Sequence, residues 1–168
     1  RFSEIMNTHE ETFEKEDACE LKNPMGNIVY KNVDFSYFDG IHVLRNVSFC
    51  VEAGKTIAFV GPSGGGKTTI CNLLARFYEI QGGQITFDGN DIRNLKVDSL
   101  RRQIGFVQQD VFLFAGTIKE NIAYGRPDAT DQEIEQAARR AEIYDDILRM
   151  PNGFDSVVGE RGIKLSGG

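Results

Sequence analysis

Eight consecutive residues, GPSGGGKT (61–68), combine four closely spaced glycines with a lysine and a threonine. They match the pattern G-x-x-x-x-G-K-[ST], in which glycines let consecutive backbone N–H groups approach phosphate oxygens. Lys67 would bring a positive charge to the outer phosphates, and the Thr68 hydroxyl is an oxygen ligand of the kind that Mg²⁺ prefers. The segment therefore predicts a nucleotide site with contacts from Gly61, Pro62, Ser63, Gly64, Gly65, Gly66, Lys67, Thr68 and Thr69.

Three further features could take part in the same chemistry. Tyr37 follows a strand-like stretch and could stack on a base, although a strand tyrosine is more often a packing residue. Gln109 has an amide suited to contacting Mg²⁺ and water, although taken alone it reads as a surface glutamine. The final residues, Ser166, Gly167 and Gly168, offer a hydroxyl and backbone N–H groups, which would form a second anion site.

The elements around the phosphate loop are predicted from periodicity. Alternation over 27–37, which places Val29, Val33, Phe35 and Tyr37 on one face, and alternation over 43–54 predict two antiparallel strands. The apolar run 55–61 predicts a buried central strand, and 67–78 predicts an amphipathic helix. A buried strand before a glycine-rich loop and a helix after it are the flanks that a phosphate-binding loop needs, so a chance match is disfavoured.

The rest of the chain is predicted to alternate and then to become helical. Residues 82–92 read as a strand and turn, 97–103 as a short helix, and 104–110 as another strand. Residues 128–150 read as one helix that begins at a capping box of Thr130 and Glu133. Its buried stripe is predicted to be Ile134, Ala137, Ala138 and Ala141.

Composition sets the class of protein. Of the net charge of −6, a large part lies in residues 1–20, which hold seven acidic and two basic residues, so the remainder is close to neutral. A near-neutral body argues against a nucleic-acid partner. Three widely spaced cysteines fit a reducing environment, and no apolar run reaches the ~20 residues that a membrane span needs.

The order and spacing of these motifs resemble the nucleotide-binding domain of ABC transporters. Tyr37, the loop 61–68, Gln109 and the terminal LSGG are similar to that family's A-loop, Walker A, Q-loop and signature motif. The segments DVFLFAGTIKENIAYG and GERGIKLSGG are similar to exporter-type members. The resemblance implies an α/β fold: a P-loop NTPase (RecA-like) core with an N-terminal antiparallel β subdomain and a C-terminal helical subdomain, incomplete at the C-terminus. Residues 1–26 would be a linker following a membrane domain, and 27–168 a partial ABC ATP-binding domain.

The resemblance also implies roles for individual residues. Tyr37 would stack on the adenine of ATP with Val43 beside it, Lys67 and Gln109 would be catalytic, and Thr68 with Gln109 would ligand Mg²⁺. Ser166, Gly167 and Gly168 would act in trans, on the ATP bound by a second nucleotide-binding domain in a head-to-tail dimer. Residues 110–126 would contact the coupling helices of a membrane domain, at the cytoplasmic face of the cell membrane.

The chain also departs from the family pattern. It contains neither the glutamine that normally follows the signature nor a Walker B aspartate, a catalytic glutamate or a switch histidine. Water attack on ATP needs metal ligands and a water-orienting group. We therefore expect these 168 residues to bind ATP and hydrolyse it poorly, and the parent protein to be an ATPase. The alternatives are a non-transport ABC ATPase acting on nucleic acid or ribosomes, and a non-hydrolysing regulatory module.

Overall fold

The computed structural model describes residues 14–38, 40–107 and 112–159, which divide between Phe106 and Val107 into two units. The first unit contains a four-stranded antiparallel sheet in the order β2-β1-β3-β4. Its strands are β1 (Ile28–Ser36), β2 (His42–Val51), β3 (Gly82–Phe87) and β4 (Asn90–Asp91). The two predicted N-terminal strands are therefore confirmed as an antiparallel pair.

The buried face of β1 changes parity along the strand. Tyr30, Val33 and Phe35 are each 2% exposed or less, whereas Val29 is only partly buried. The pairing register shifts between Tyr30 and Val33, and Asn32 between them adopts a φ of 50°. One extra residue moves the following side chains to the opposite face. The predicted face that included Val29 is therefore wrong at that position.

One helix of the first unit packs its apolar side on the sheet. Helix α1 (Lys67–Leu74) follows the glycine-rich loop and buries Leu73 completely, as its spacing predicts. It ends four residues before the predicted end at residue 78, because the chain turns at residues 75–78. The Tyr30 hydroxyl donates to the carbonyl oxygen of Ile70 in α1 at 2.8 Å. Burial raises the pKa of Tyr30, so this hydroxyl stays protonated and ties the sheet to the helix.

The apolar run before the loop is not the buried strand that its composition predicts. Residues 56–61 are in no strand, Ile57 is 42% exposed and Val60 is 94% exposed. Phe59 contacts the Phe49 ring edge-on, with centroids 5.1 Å apart. Within the described residues no strand pairs with this run. Without a paired strand its backbone cannot form inter-strand hydrogen bonds, and its side chains stay exposed. For the strand predicted over 104–110, residues 104–107 are likewise in no strand and the rest lies outside the described residues.

The N-terminal strap, by which we mean residues 14–27, packs on the first unit. Cys19 forms a parallel bridge with Leu95, and Leu21, only 7% exposed, joins the core. The strap runs beside a 3₁₀ turn (Ile92–Asn94) and helix α2 (Val97–Arg101), the latter as predicted. Residues 1–13 of the predicted linker lie outside the described residues, and the boundary at residue 26 stays a prediction.

The end of the strap is held by a single carboxylate. Asp88, in the turn between β3 and β4, accepts backbone N–H bonds from Met25 at 2.7 Å, from Gly26 at 3.1 and 3.2 Å, and from Asn27 at 2.7 Å. Partial desolvation raises the pKa of Asp88, but the amides of Asn27, Gly26 and Met25 outweigh it and leave the pKa below its ordinary value.

Within residues 112–159, the described part of the second unit, the chain forms a two-stranded sheet and three short helices. Strands β5 (Gly116–Thr117) and β6 (Val157–Val158) pair in antiparallel fashion. The helices are α3 (Ile118–Ala123), α4 (Asp131–Arg140) and α5 (Tyr144–Arg149), with a 3₁₀ turn at Gly153–Asp155. Its core is formed by Ile118, Ala138, Ile147 and Val158.

Capping boxes begin two of these helices, and one prediction there needs correction. Thr130 and Glu133 form the predicted box at α4, and a second box of the same type begins α3. The single helix predicted over 128–150 is wrong, because α4 ends at Arg140 and Glu142 adopts a φ of 59°. The stripe is correspondingly narrower: Ile134 and Ala138 are buried, whereas Ala137 and Ala141 are exposed. Among the described residues no helix is long and apolar enough to cross a membrane.

Candidate nucleotide-binding site

The glycine-rich loop has a backbone that requires glycine at two positions. Gly64 and Gly66 have φ values of 78° and 81°, which side-chain-bearing residues rarely adopt. At Gly66 an added Cβ would also lie 2.7 Å from Leu44 Cδ2 and 3.3 Å from the Val43 carbonyl oxygen. The loop therefore lies directly against the start of β2, and a substitution at Gly66 would be strained and would clash.

The lysine of the loop is held by the loop itself. Lys67 Nζ donates to the carbonyl oxygens of Gly61 at 2.9 Å and Pro62 at 2.7 Å, and the Gly65 N–H donates to Pro62 at 3.2 Å. These contacts curl the loop round the first turn of α1. The residue before the helix, Gly66, provides no side-chain cap. The first N–H groups of α1 and the Lys67 ammonium thus create a positive potential that suits a phosphate.

The two threonines after the lysine have different environments. Thr68 is exposed, whereas Thr69 is 5% exposed. Thr68 therefore offers an accessible hydroxyl oxygen, the hard donor type that Mg²⁺ binds together with phosphate oxygens. The described residues contain no group of three His, Cys, Asp or Glu side chains that could hold a metal ion.

Tyr37 lies beside the phosphate loop in the same unit. It follows the last residue of β1, is 38% exposed, and its hydroxyl is 3.0 Å from Thr69 Oγ1. The rings of Phe35 and Tyr78 meet it edge-on, with centroids 4.8 and 4.9 Å away. Tyr37 is thus a partly exposed aromatic side chain tied to the helix that carries the phosphate loop.

A groove next to Tyr37 is large enough for part of a ligand. It has a volume of about 440 Å³, and Phe38, Glu79 and Gln81 line it together with the aromatic residues. A second cavity of about 260 Å³ is also lined by Tyr37 and reaches His42. Tyr78 and Thr69 were not singled out as partners of Tyr37 from the sequence, because their proximity depends on how α1 packs on the sheet.

The other predicted site residues differ in where the structure places them. Val43 is partly buried and lies against the phosphate loop at Gly66. Gln109 and the terminal Ser166, Gly167 and Gly168 lie outside the described residues.

The predicted membrane-domain contact, 110–126, is described from residue 112 onward and belongs to the second unit. It contains three exposed aromatic side chains, Phe112, Phe114 and Tyr124. Phe114 stacks on Tyr124 with centroids 4.0 Å apart, and Phe112 meets Phe114 edge-on. An exposed cluster of this kind, so close to α3, is typical of a surface that contacts another polypeptide.

Comparisons with known proteins show which family the chain resembles. The family model described as ABC transporter matches residues 44–168. Similar proteins include the uncharacterized ABC transporter ATP-binding protein YwjA of Bacillus subtilis, 49% identical over 99% of this chain and 29% of the relative. ATP-binding cassette sub-family B member 6 of Xenopus tropicalis is 50% identical over 98% of this chain and 19% of the relative. The ATP-dependent lipid A-core flippase of Syntrophus aciditrophicus is 48% identical over 92% of this chain and 26% of the relative.

A solved structure is also similar over nearly the whole chain. The structure of a bacterial Atm1-family ABC exporter with ATP bound has a TM-score of 0.92 and 45% identity, covering 98% of this chain and 29% of that chain. This chain thus spans less than a third of each of these relatives. The predicted fold class, an α/β P-loop NTPase fold with an antiparallel sheet, is confirmed. The chain belongs to the ABC transporter family.

Proposed function

We propose that this chain is the ATP-binding motor domain of an ABC exporter, which couples ATP binding and hydrolysis to substrate export across a membrane. The observation that carries the proposal is that a partly exposed tyrosine, Tyr37, is hydrogen-bonded to the helix that follows the phosphate loop. It is supported by relatives named as a flippase and as multidrug export proteins.

The residues of the loop would divide the work of binding the phosphates. Backbone N–H groups of 61–66 and the first turn of α1 surround the anion, and Lys67 exchanges its loop carbonyl partners for phosphate oxygens. Because those carbonyls already hold the ammonium in place, binding costs little side-chain entropy. Thr68, with Gln109, would ligand Mg²⁺, which neutralises charge that develops on the phosphates.

Tyr37 and Val43 would bind the other end of the nucleotide. The partly exposed ring of Tyr37 would stack on adenine, and Val43, which contacts Gly66, would pack beside it. Stacking on one aromatic ring contributes about 1–3 kcal/mol per base, so this contact would account for a sizeable part of ATP affinity.

Catalysis would require a second domain of the same type. Ser166, Gly167 and Gly168 would cap the γ-phosphate bound to the neighbouring domain in a head-to-tail dimer. The residues Phe112, Phe114 and Tyr124, within 110–126, would contact the coupling helices of the membrane domain at the cytoplasmic face. We infer that the 168-residue chain binds ATP and turns it over slowly, and that hydrolysis at ordinary enzyme rates belongs to the longer protein.

Calorimetric titration of the 168-residue chain with Mg-ATP tests the proposal. We expect Lys67→Ala to abolish measurable binding, because it removes the one positive side chain of the loop. Tyr37→Ala should weaken binding by about 5-fold to 150-fold, which corresponds to the loss of about 1–3 kcal/mol of stacking. Lys55→Ala, which removes an exposed lysine close to the same loop in sequence, is the matched control and should bind as the unchanged chain does. Equal affinity for Lys67→Ala and Lys55→Ala would refute the proposed site.

A further inference from the structure

One hydrogen bond joins the two ends of the proposed nucleotide site. The hydroxyl of Tyr37, after β1, is 3.0 Å from Oγ1 of Thr69, in the first turn of α1. Thr69 is 5% exposed, so its hydroxyl lies where water is a poor substitute for a protein partner. A bond between hydroxyl groups at such a depth is worth more than the same bond at the surface, because losing one partner leaves the other unsatisfied.

Two aromatic rings restrict the Tyr37 ring from the side. Phe35, 2% exposed, and Tyr78, partly buried, approach it at interplanar angles of 85° and 88°. Edge-to-face contacts of this geometry contribute about 0.5–1.5 kcal/mol each beyond area burial. Phe35 is a core residue of the sheet and Tyr78 follows α1, so Tyr37 is held between the sheet and the helix that carries the phosphate loop.

The backbone segments that carry these contacts are closely packed against one another. The Gly66 backbone approaches Val43 and Leu44 so closely that a single added methyl group would clash with Leu44. The start of β2, the phosphate loop and α1 therefore move little relative to one another. The Tyr37 ring bonds to α1 through Thr69 and lines the groove, so the same packing restricts it.

We propose that Thr69 and Tyr78 are positioning residues for Tyr37, and that the Tyr37–Thr69 hydroxyl bond couples base binding to phosphate binding. The inference rests on the proposed function, in which Tyr37 stacks on adenine. Neither residue needs to contact the base. By restricting the Tyr37 ring before ATP binds, they reduce the conformational entropy that is lost when adenine stacks on it. Because Thr69 lies in the first turn of α1, the same hydrogen bond links the ring to the turn that binds the phosphates.

A double-mutant cycle on the 168-residue chain tests the coupling. Its variants are Tyr37→Phe, Thr69→Val and the double variant; valine keeps the branched shape of threonine and phenylalanine keeps the ring. Each is titrated with ATP and with inorganic tripolyphosphate, which has no base. We expect Tyr37→Phe to weaken ATP about two- to tenfold, the usual worth of one net hydrogen bond, and to leave tripolyphosphate affinity unchanged. In the Thr69→Val background the same change should have no further effect on ATP.

A second pair of variants tests Tyr78. Tyr78→Leu removes the ring that meets Tyr37 edge-on and should weaken ATP but not tripolyphosphate. Tyr78→Phe keeps that ring and should retain the ATP affinity of the unchanged chain. A residue that merely supports the fold would weaken both ligands together.

The outcomes separate this inference from the proposed function. If Tyr37→Phe weakens ATP by the same factor with and without the Thr69 hydroxyl, or weakens both ligands equally, the coupling is refuted while the nucleotide site stands. If Lys67→Ala leaves ATP affinity unchanged, the proposed function fails and the inference fails with it. A cycle measured by urea unfolding without ligand gives an independent reading, and perfect additivity there also contradicts the bond.

Discussion

Replacing Asp88 tests whether the N-terminal strap folds as part of the first unit. Its carboxylate accepts the backbone N–H groups of Met25, Gly26 and Asn27, all at 3.2 Å or less. Asp88→Ala removes every one of these acceptors. Asp88→Asn keeps one acceptor oxygen of similar shape but loses the charge, so the two variants separate the carboxylate's charge from its position.

The expected magnitude follows from this geometry. A carboxylate that receives several backbone N–H groups resembles the cap of a helix, whose loss costs about 0.5–2 kcal/mol. Asp88 is only partly buried, so water can partly replace it, and full values for buried charged bonds do not apply. We expect a loss of about 1–2 kcal/mol for Asp88→Ala and about 1 kcal/mol for Asp88→Asn in the free energy of unfolding.

The direction of the Asp88 pKa shift predicts how this stability difference depends on pH. The folded-state pKa of Asp88 lies below its unfolded value, so its contribution to stability is present above the ordinary aspartate pKa of about 3.9. That contribution is lost as pH falls through the folded-state pKa. The stability difference between the unchanged chain and Asp88→Asn should therefore be full near neutral pH and shrink below about pH 4.

Urea unfolding at several pH values and amide hydrogen exchange measure this effect. Exchange at residues 25–27 should accelerate in Asp88→Asn, with smaller changes elsewhere in the first unit. Glu52→Gln removes an exposed acidic charge from the same unit and is the control. The reasoning is wrong if Asp88→Asn unfolds as Glu52→Gln does and the amides of residues 25–27 exchange at unchanged rates.

Three stability predictions concern other positions, each measured by urea unfolding. Gly83→Ala should lower the free energy of unfolding by more than about 3 kcal/mol, because its Cβ would lie 2.2 Å from the Asn32 carbonyl oxygen. Gly89 has the same φ of 78° but open space around it, so Gly89→Ala should lower it by only about 1 kcal/mol. Similar losses for the two would show that backbone conformation, not the close approach, governs both. Ser156→Ala should be neutral or stabilising, because its buried hydroxyl is unsatisfied; a loss above about 1 kcal/mol would contradict this. Arg76→Met should destabilise by about 3 kcal/mol or more, because the buried guanidinium bonds two carbonyl oxygens and a glutamate, and a change below about 1 kcal/mol would refute that role.

Local sequence signals predicted the parts of the structure that depend on local geometry. The capping box of Thr130 and Glu133 and the helix after Lys67 are confirmed, because both follow from hydrogen bonds and spacing within one turn. The antiparallel pair β1–β2 is also confirmed, since alternation and a short turn suffice to specify it.

Features that depend on neighbouring elements were harder to predict. The run 55–61 is apolar enough for a buried strand, but a strand forms only where others pair with it. The parity change at Asn32 requires one residue with positive φ, which alternation alone does not reveal. For the site, the loop motif predicted residues 61–69, whereas the bond between Tyr37 and Thr69 depends on helix packing across 32 residues of chain.

The exposed apolar run 55–61, before the phosphate loop, affects how this chain should behave in solution. Val60, 94% exposed, and Ile57, 42% exposed, lie in a stretch that pairs with no described strand. Such a stretch is a template for pairing with another molecule, so the purified chain should self-associate as its concentration rises. The stretch leads directly into the phosphate loop at residue 61, so aggregated chains would not bind nucleotide. The number of nucleotides bound per chain in a titration would therefore fall as the aggregated fraction rises.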